Sequence, residues 1–127
     1  MIQFSNGYDL EDRTAKFGAD VILFCRKIIL DDITKLIIRQ LIRSATSIGT
    51  NYMEANRASS RKDFKNKIFI CKKETQETKH WLKMILVCLP ENKEAIDQLR
   101  QECHELNLIF QKIINTLKID NCKLNEN

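Results

Sequence analysis

The stretch SATSIGTNYMEANRASSRKDF, residues 44–64, stands out in a chain that otherwise reads as plain amphipathic helix. Small and polar side chains crowd its first half, and Arg and Lys follow at its end. At about 100° per residue, Ile37, Leu41, Ala45, Ile48, Tyr52 and Ala55 fall on one side of a helix running from about Ile33 to Arg57. "ASS" breaks that pattern. Ser59 or Ser60 supplies the cap of a following helix, and Asp63 sits as an acid in its first turn. The stretch is therefore the joint of a helical hairpin, and an all-α fold follows from it.

Working outward, a helix is expected from about Asp9 to Leu30, with Val21, Phe24, Cys25, Ile28 and Ile29 on one side. Asp31–Asp32 offer the cap of the second helix. The third runs from about Arg61 to Leu89, where the chain's single proline, Pro90, stops it. The fourth runs from about Glu91 to Lys118. With 3 glycines and 1 proline in 127 residues, there are too few turn residues for a many-stranded fold. Four long helices with tight joints predict an antiparallel up-down-up-down bundle. The chain is expected to be one domain over 1–127, with its core at about 9–118 and loose ends at 1–7 and 119–127.

No run of 18 apolar residues is present, and no basic start leads into an apolar signal segment. A cytoplasmic protein without a membrane partner is expected. The five cysteines form no C-x-x-C pair, and Cys25, Cys71 and Cys88 lie in apolar stretches. They read as reduced small hydrophobes. The net charge of +4 is unevenly spread: residues 35–89 hold 12 basic against 4 acidic side chains, and both flanking segments are slightly acidic. A partner of opposite sign would meet the centre of the chain.

The third helix presents three faces. Phe64, Ile68, Cys71, Thr75, Thr78, Leu82, Leu86 and Leu89 point inward on the helical wheel. One flank gathers Arg61, Lys62, Lys65, Lys72, Lys73, Lys79, His80 and Lys83 over about six turns; it reads either as a solvated face or as a phosphate-binding row without base-reading groups. The other flank carries Ile70, Trp81, Met84 and Cys88, with Glu77 between them. An apolar flank outside the core stripe suits a subunit interface, or else a helix buried more deeply in a monomer. On the second helix Arg43, Ser47, Asn51 and Glu54 form one row at i, i+4, i+8 and i+11. That row is either a solvated face with weak ion pairs or a second packed surface.

Glu77-x-x-His80 resembles half of a carboxylate-bridged di-metal motif. The other histidine, His104, has Gln101 three residues before it, so the second half is missing. Cys103 and His104 diverge by about 100° on a helix, and no Gly-rich phosphate loop is present. No catalytic, metal or cofactor residues are assigned, and a non-enzymatic protein is expected.

DLEDRTAKFGADVI (residues 9–22) together with residues 39–82, from Arg39-Gln40-Leu41 through Ser47-Ile48, Asn51, Glu54-Ala55, Asp63-Phe64 and Lys73-Glu74 to Glu77-Thr78 and Trp81-Leu82, closely resembles a small bacterial family. Its proteins are encoded in intervening sequences of large-subunit ribosomal RNA genes, and it is also called the S23 ribosomal protein family. Two positions depart from its pattern: Thr50 replaces the usual Ala before Asn51, and Leu30-Asp31 replaces a Leu-Pro joint. The resemblance implies an antiparallel four-helix bundle assembled as a homopentamer, without catalytic residues or cofactor. It extends to the related accessory protein of diversity-generating retroelements, a basic pentameric bundle that binds nucleic acid and a reverse transcriptase.

Two functions are thereby expected. One is an oligomeric scaffold that binds nucleic acid, RNA foremost, through Arg61, Lys62, Lys65, Lys72, Lys73, Lys79 and Lys83, with Arg43, Ser47, Asn51, Glu54, Ile70, Trp81 and Met84 at the subunit interface. The other is a protein–protein adaptor, such as an accessory subunit of a nucleic-acid enzyme.

Overall fold

The computed structural model describes residues 9–125, and their side chains as far as Ile119. It consists of α1 (Leu10–Arg26), α2 (Asp32–Asn56), α3 (Arg61–Cys88), a single 3-10 turn at Pro90–Asn92, and α4 (Lys93–Asn125). Consecutive helices pack against one another, and α4 closes back onto α1, giving the antiparallel four-helix bundle. The α2–α3 seam is the most extensive and the α1–α4 seam the sparsest.

The starts of the first three helices are written in their caps. The Asp9 carboxylate accepts from the Asp12 N–H at 2.8 Å, and Asp31 does the same for Thr34 at 2.7 Å. Ser60, not Ser59, caps α3 by accepting from the Asp63 N–H at 3.0 Å. The Ser59 hydroxyl instead donates to the Asp63 carboxylate at 2.9 Å. Each cap satisfies a backbone N–H that the helix itself leaves without a partner.

The helix ends differ more from the sequence reading. α1 stops at Arg26, four residues before Leu30. The extended backbone that Asp31 needs as a cap (φ −106°, ψ 176°) requires a non-helical approach. Ile29, expected on the inner side of α1, lies beyond its end and is 95% exposed. Pro90 ends α3 as expected, and the 3-10 turn delays α4 to Lys93. At the other end α4 continues past Lys118 to Asn125. The N-terminal segment expected to be loose, 1–7, and residues 126–127 lie outside the described residues.

The core runs the length of the bundle. Phe17 and Val21 of α1, Leu41 and Ile48 of α2, Ile68, Leu82 and Ile85 of α3, and Ile96, Leu106, Phe110 and Ile114 of α4 are all nearly or fully buried. Across the interior, Tyr52 packs its ring against Phe110, centroids 6.1 Å apart and tilted by 56°, an arrangement that aromatic quadrupoles favour. Ile38 and Ile85 are buried although the wheel left them off the inner stripes, whereas Ile37, Tyr52, Phe64 and Leu86 are only half-buried.

Small residues let α1 and α2 approach closely. A methyl group placed on Gly18 would stand 3.5 Å from the Thr46 Cα, and one on Gly49 would stand 3.5 Å from the backbone of Thr14 and Ala15. Ala45 and Ser44, on the other side of α2, are fully buried. The Thr78 and Ser44 hydroxyls meet at 2.9 Å across the α2–α3 seam. On α1–α4, Arg13 grips Glu102 with Nε and Nη2 at 2.9 and 2.7 Å.

Candidate nucleic-acid interface

The outward crest of α3 carries the basic residues read from the sequence, and the bundle splits them into two rows. Lys72, on the α4 side, donates to Gln111 of α4. Arg61, Lys65, Lys79 and Lys83 share its side of the helix, since positions seven and eleven apart nearly superpose at 3.6 residues per turn. Lys73 and His80 lie toward α2. There they line a shallow hollow of about 400 Å³ with Arg43, Gln76, Glu77 and Trp81. At 1.5 Å per residue, the crest from Arg61 to Lys83 extends about 33 Å.

Lys62, Lys73, Lys79 and Lys83 are exposed, and Lys65 and Lys72 are half-buried. Among the described residues, no ion pair forms to Lys62, Lys65, Lys79 or Lys83. Lys67, which the sequence reading left off the row, is instead neutralised by Glu54 of α2 at 2.9 Å. The helix thus keeps its acids on the α2 side, away from Lys65, Lys79 and Lys83 on the crest.

Two apolar side chains interrupt that crest. Phe69 is 41% exposed and Val87 is 75% exposed. The sequence reading missed both. The wheel contains the signal, because positions 62, 69, 76, 80 and 87 fall within about 40° of one another.

The residues expected at a subunit interface come together on one face, the α2–α3 seam. Arg43 donates to Glu77 at 3.0 Å and to Glu74 at 3.4 Å. Asn51 donates from Nδ2 to the Ser47 carbonyl at 2.8 Å and to its hydroxyl at 3.0 Å. Glu54 holds Lys67. Most of this polar row is therefore engaged within the chain. Trp81 packs against the core, its ring meeting that of His80 edge-on at 4.9 Å. Ile70 and Met84 are half-buried at the rim of the seam.

Glu74 is the buried acid of this seam, at 7% exposure. Burial and the neighbouring Glu77 carboxylate push its pKa up, and Arg43 pulls the other way. The hydrogen bond from Arg43 holds Glu77 below the ordinary range. This engagement occupies the Glu77 of the Glu-x-x-His motif, while His80 faces outward. Among the described residues, no group of three or more His, Cys, Asp or Glu side chains is placed to hold a metal ion. Burial pushes the thiols of Cys71 and Cys103 up to about 12 and that of Cys25 up to about 11, so these cysteines pack as hydrophobes rather than react as thiolates.

The comparisons with known proteins agree with this architecture. The sequence profile of the family described as 23S rRNA-intervening sequence protein matches residues 12–112. A crystal structure of a protein of unknown function from the S23 ribosomal protein family of Bacteroides thetaiotaomicron is 28% identical, with a TM-score of 0.72 over 84% of this chain and 98% of that one. Among curated proteins none matches the sequence.

Proposed function

The chain belongs to the 23S rRNA-intervening sequence protein family, and from that premise we propose that it is a non-enzymatic oligomeric scaffold that binds RNA through the crest of α3. The observation that supports this reading most is the set Lys62, Lys65, Lys79 and Lys83. These four cations sit on one helix and form no ion pair among the described residues, whereas Lys67 of the same helix is neutralised by Glu54. Cations spaced along about 33 Å of a straight rod can follow a phosphate backbone, but nothing beside them is placed to read base edges. Binding is therefore electrostatic and tolerant of sequence.

The assembly we propose is a homopentamer, with the number five taken from the family resemblance. Its subunits meet through the α2–α3 seam at Arg43, Ser47, Asn51, Glu54, Ile70, Trp81 and Met84. No helix among the described residues is long and apolar enough to cross a membrane, which suits a cytoplasmic scaffold. A second reading, an adaptor that docks on a protein such as a reverse transcriptase, draws support from Phe69 and Val87, apolar side chains exposed on the same crest.

A salt series with a structured ribosomal-type RNA tests the first reading. Log affinity should fall linearly with log salt, and each of Lys62→Gln, Lys79→Gln and Lys83→Gln should lower the slope by about 0.7–0.9. Binding that is absent at about 0.1 M salt, or a slope untouched by all three variants, would overturn it and leave the adaptor.

A further inference from the structure

Of the phenylalanine, tyrosine and tryptophan side chains among the described residues, only Phe69 is exposed; the others are buried or half-buried. Its surroundings on the crest decide what it can meet. Residues three, four and seven positions away are its surface neighbours on α3, the nearest with Cβ atoms roughly 5–6 Å off. They are Lys62, Lys65, Asn66, Lys72, Lys73 and Gln76. Among the described residues none of these four lysines forms an ion pair. Lys72 directs one N–H to Gln111 of α4, and an ammonium group has two more to offer. Val87, the other apolar side chain of the crest, stands 18 positions on, about 27 Å away along the helix. Phe69 is therefore a lone aromatic ring enclosed by positive charge, not part of an apolar patch.

A protein surface fits such a ring poorly. The cores of protein interfaces are depleted of lysine, and covering Phe69 with apolar side chains would strip water from the ammonium groups around it without pairing them. A nucleotide supplies both complements at once: the face of its base for the ring, and its phosphates for the lysines. Resting on the reading that this crest binds RNA, we propose that it takes unpaired rather than duplex RNA, and that one base stacks on Phe69.

The preference follows from where base faces are. In a duplex each base is covered above and below by its neighbours, and the outer surface offers phosphates and 2′-hydroxyls. Phe69 would meet only these and gain nothing. An unpaired base can turn out onto the ring, which brings its own flanking phosphates over Lys65, Lys72 and Lys73. Every base has such a face, so the contact adds affinity without choosing a sequence. One stacked base corresponds to about 5- to 150-fold in affinity.

Phe69→Ala tests this with one RNA strand of about 16 nucleotides that cannot pair with itself, used alone and annealed to its complement. The variant should bind the single strand about 5- to 150-fold more weakly than the wild type and leave the duplex affinity as it was. Its salt slope should be unchanged, since every lysine is retained. Phe69→Trp should restore single-strand binding. The exposed position makes unchanged helicity by circular dichroism the expectation for both variants. A strand of the same length and charge lacking its bases should bind the wild type and Phe69→Ala alike. A Phe69→Ala variant that keeps full affinity for the single strand, or that loses strand, duplex and abasic strand by the same factor, would overturn the stacking while leaving RNA binding by the lysines intact; full affinity would also return Phe69 to the adaptor reading. A wild type that binds neither RNA at about 0.1 M salt would remove the RNA reading itself, and the stacking with it.

Discussion

At Glu74 the chain stores an electrostatic cost that one guanidinium offsets. The carboxylate is 7% exposed and its pKa is raised, while its neighbour Glu77 is held down, and Arg43 contacts both. A raised acid pKa means that this group favours the folded state at low pH and loses that contribution as pH climbs through its folded value. Glu77 has the opposite sign: its contribution is present above the ordinary value and lost as pH falls through the depressed one. Removing Arg43 should therefore matter most where both acids are ionised. Arg43→Ala is expected to cost about 1–3 kcal/mol near pH 7, since it leaves a buried carboxylate without its partner. The cost should shrink below about pH 4, the ordinary carboxylate value, where Glu74 has already taken up its proton and only Glu77, held lower by Arg43, keeps its charge. Urea unfolding of the wild type and the variant at the two pH values measures the difference; an equal cost at both would show that Arg43 acts through packing alone.

At the scale of the elements, the α1–α2 contact depends on two glycines that need no unusual backbone. Both lie inside helices, and an added methyl group would find ordinary contact at 3.5 Å. Gly49→Ala should therefore fit and stabilise the protein by about 0.5–1 kcal/mol through helix propensity. Gly49→Leu should force the helices apart at a cost of about 1–3 kcal/mol. Thermal unfolding of the two variants should shift in opposite directions; a destabilised Gly49→Ala would mean that the seam has no room for even one carbon. The same seam shows how far the sequence could be read. Caps at Asp9, Asp31 and Ser60 are local events, so the helix starts were legible within a residue or so. Ends were less so, because where α1 stops depends on the extended residue that must precede Asp31. The inner stripes were legible at Leu41, Ala45, Ile48, Ile68 and Leu82, and missed Ile38 and Ile85. A single wheel angle cannot show that α2 and α3 each meet two neighbours. The cations were legible as a row, but not which of them are neutralised. Lys67 differs from Lys65 only in that Glu54 stands opposite it across the seam.

For the whole molecule, the proposed binding surface and the proposed assembly make one coupled prediction. Each subunit presents a single crest of cations, and a lone crest with a few unpaired lysines yields only modest salt-dependent affinity. The proposed ring, holding several crests, would engage one long RNA at several points; each further contact would be intramolecular, so avidity would exceed the single-crest affinity by about 10²–10⁴. Ile70 and Met84 separate assembly from folding better than Trp81 does. Trp81 packs against the core, whereas the other two stand half-exposed at the rim of the α2–α3 seam. Ile70→Asp with Met84→Asp should therefore give folded single chains by sedimentation, with helicity retained. Those chains should bind a short oligonucleotide that spans one crest as the wild type does, and should lose most of the affinity for a long RNA. Losing both affinities equally would place Ile70 and Met84 in the binding surface itself. Losing neither, in a variant shown to be monomeric, would mean that one crest of α3 is the complete binding site and the ring contributes nothing to it.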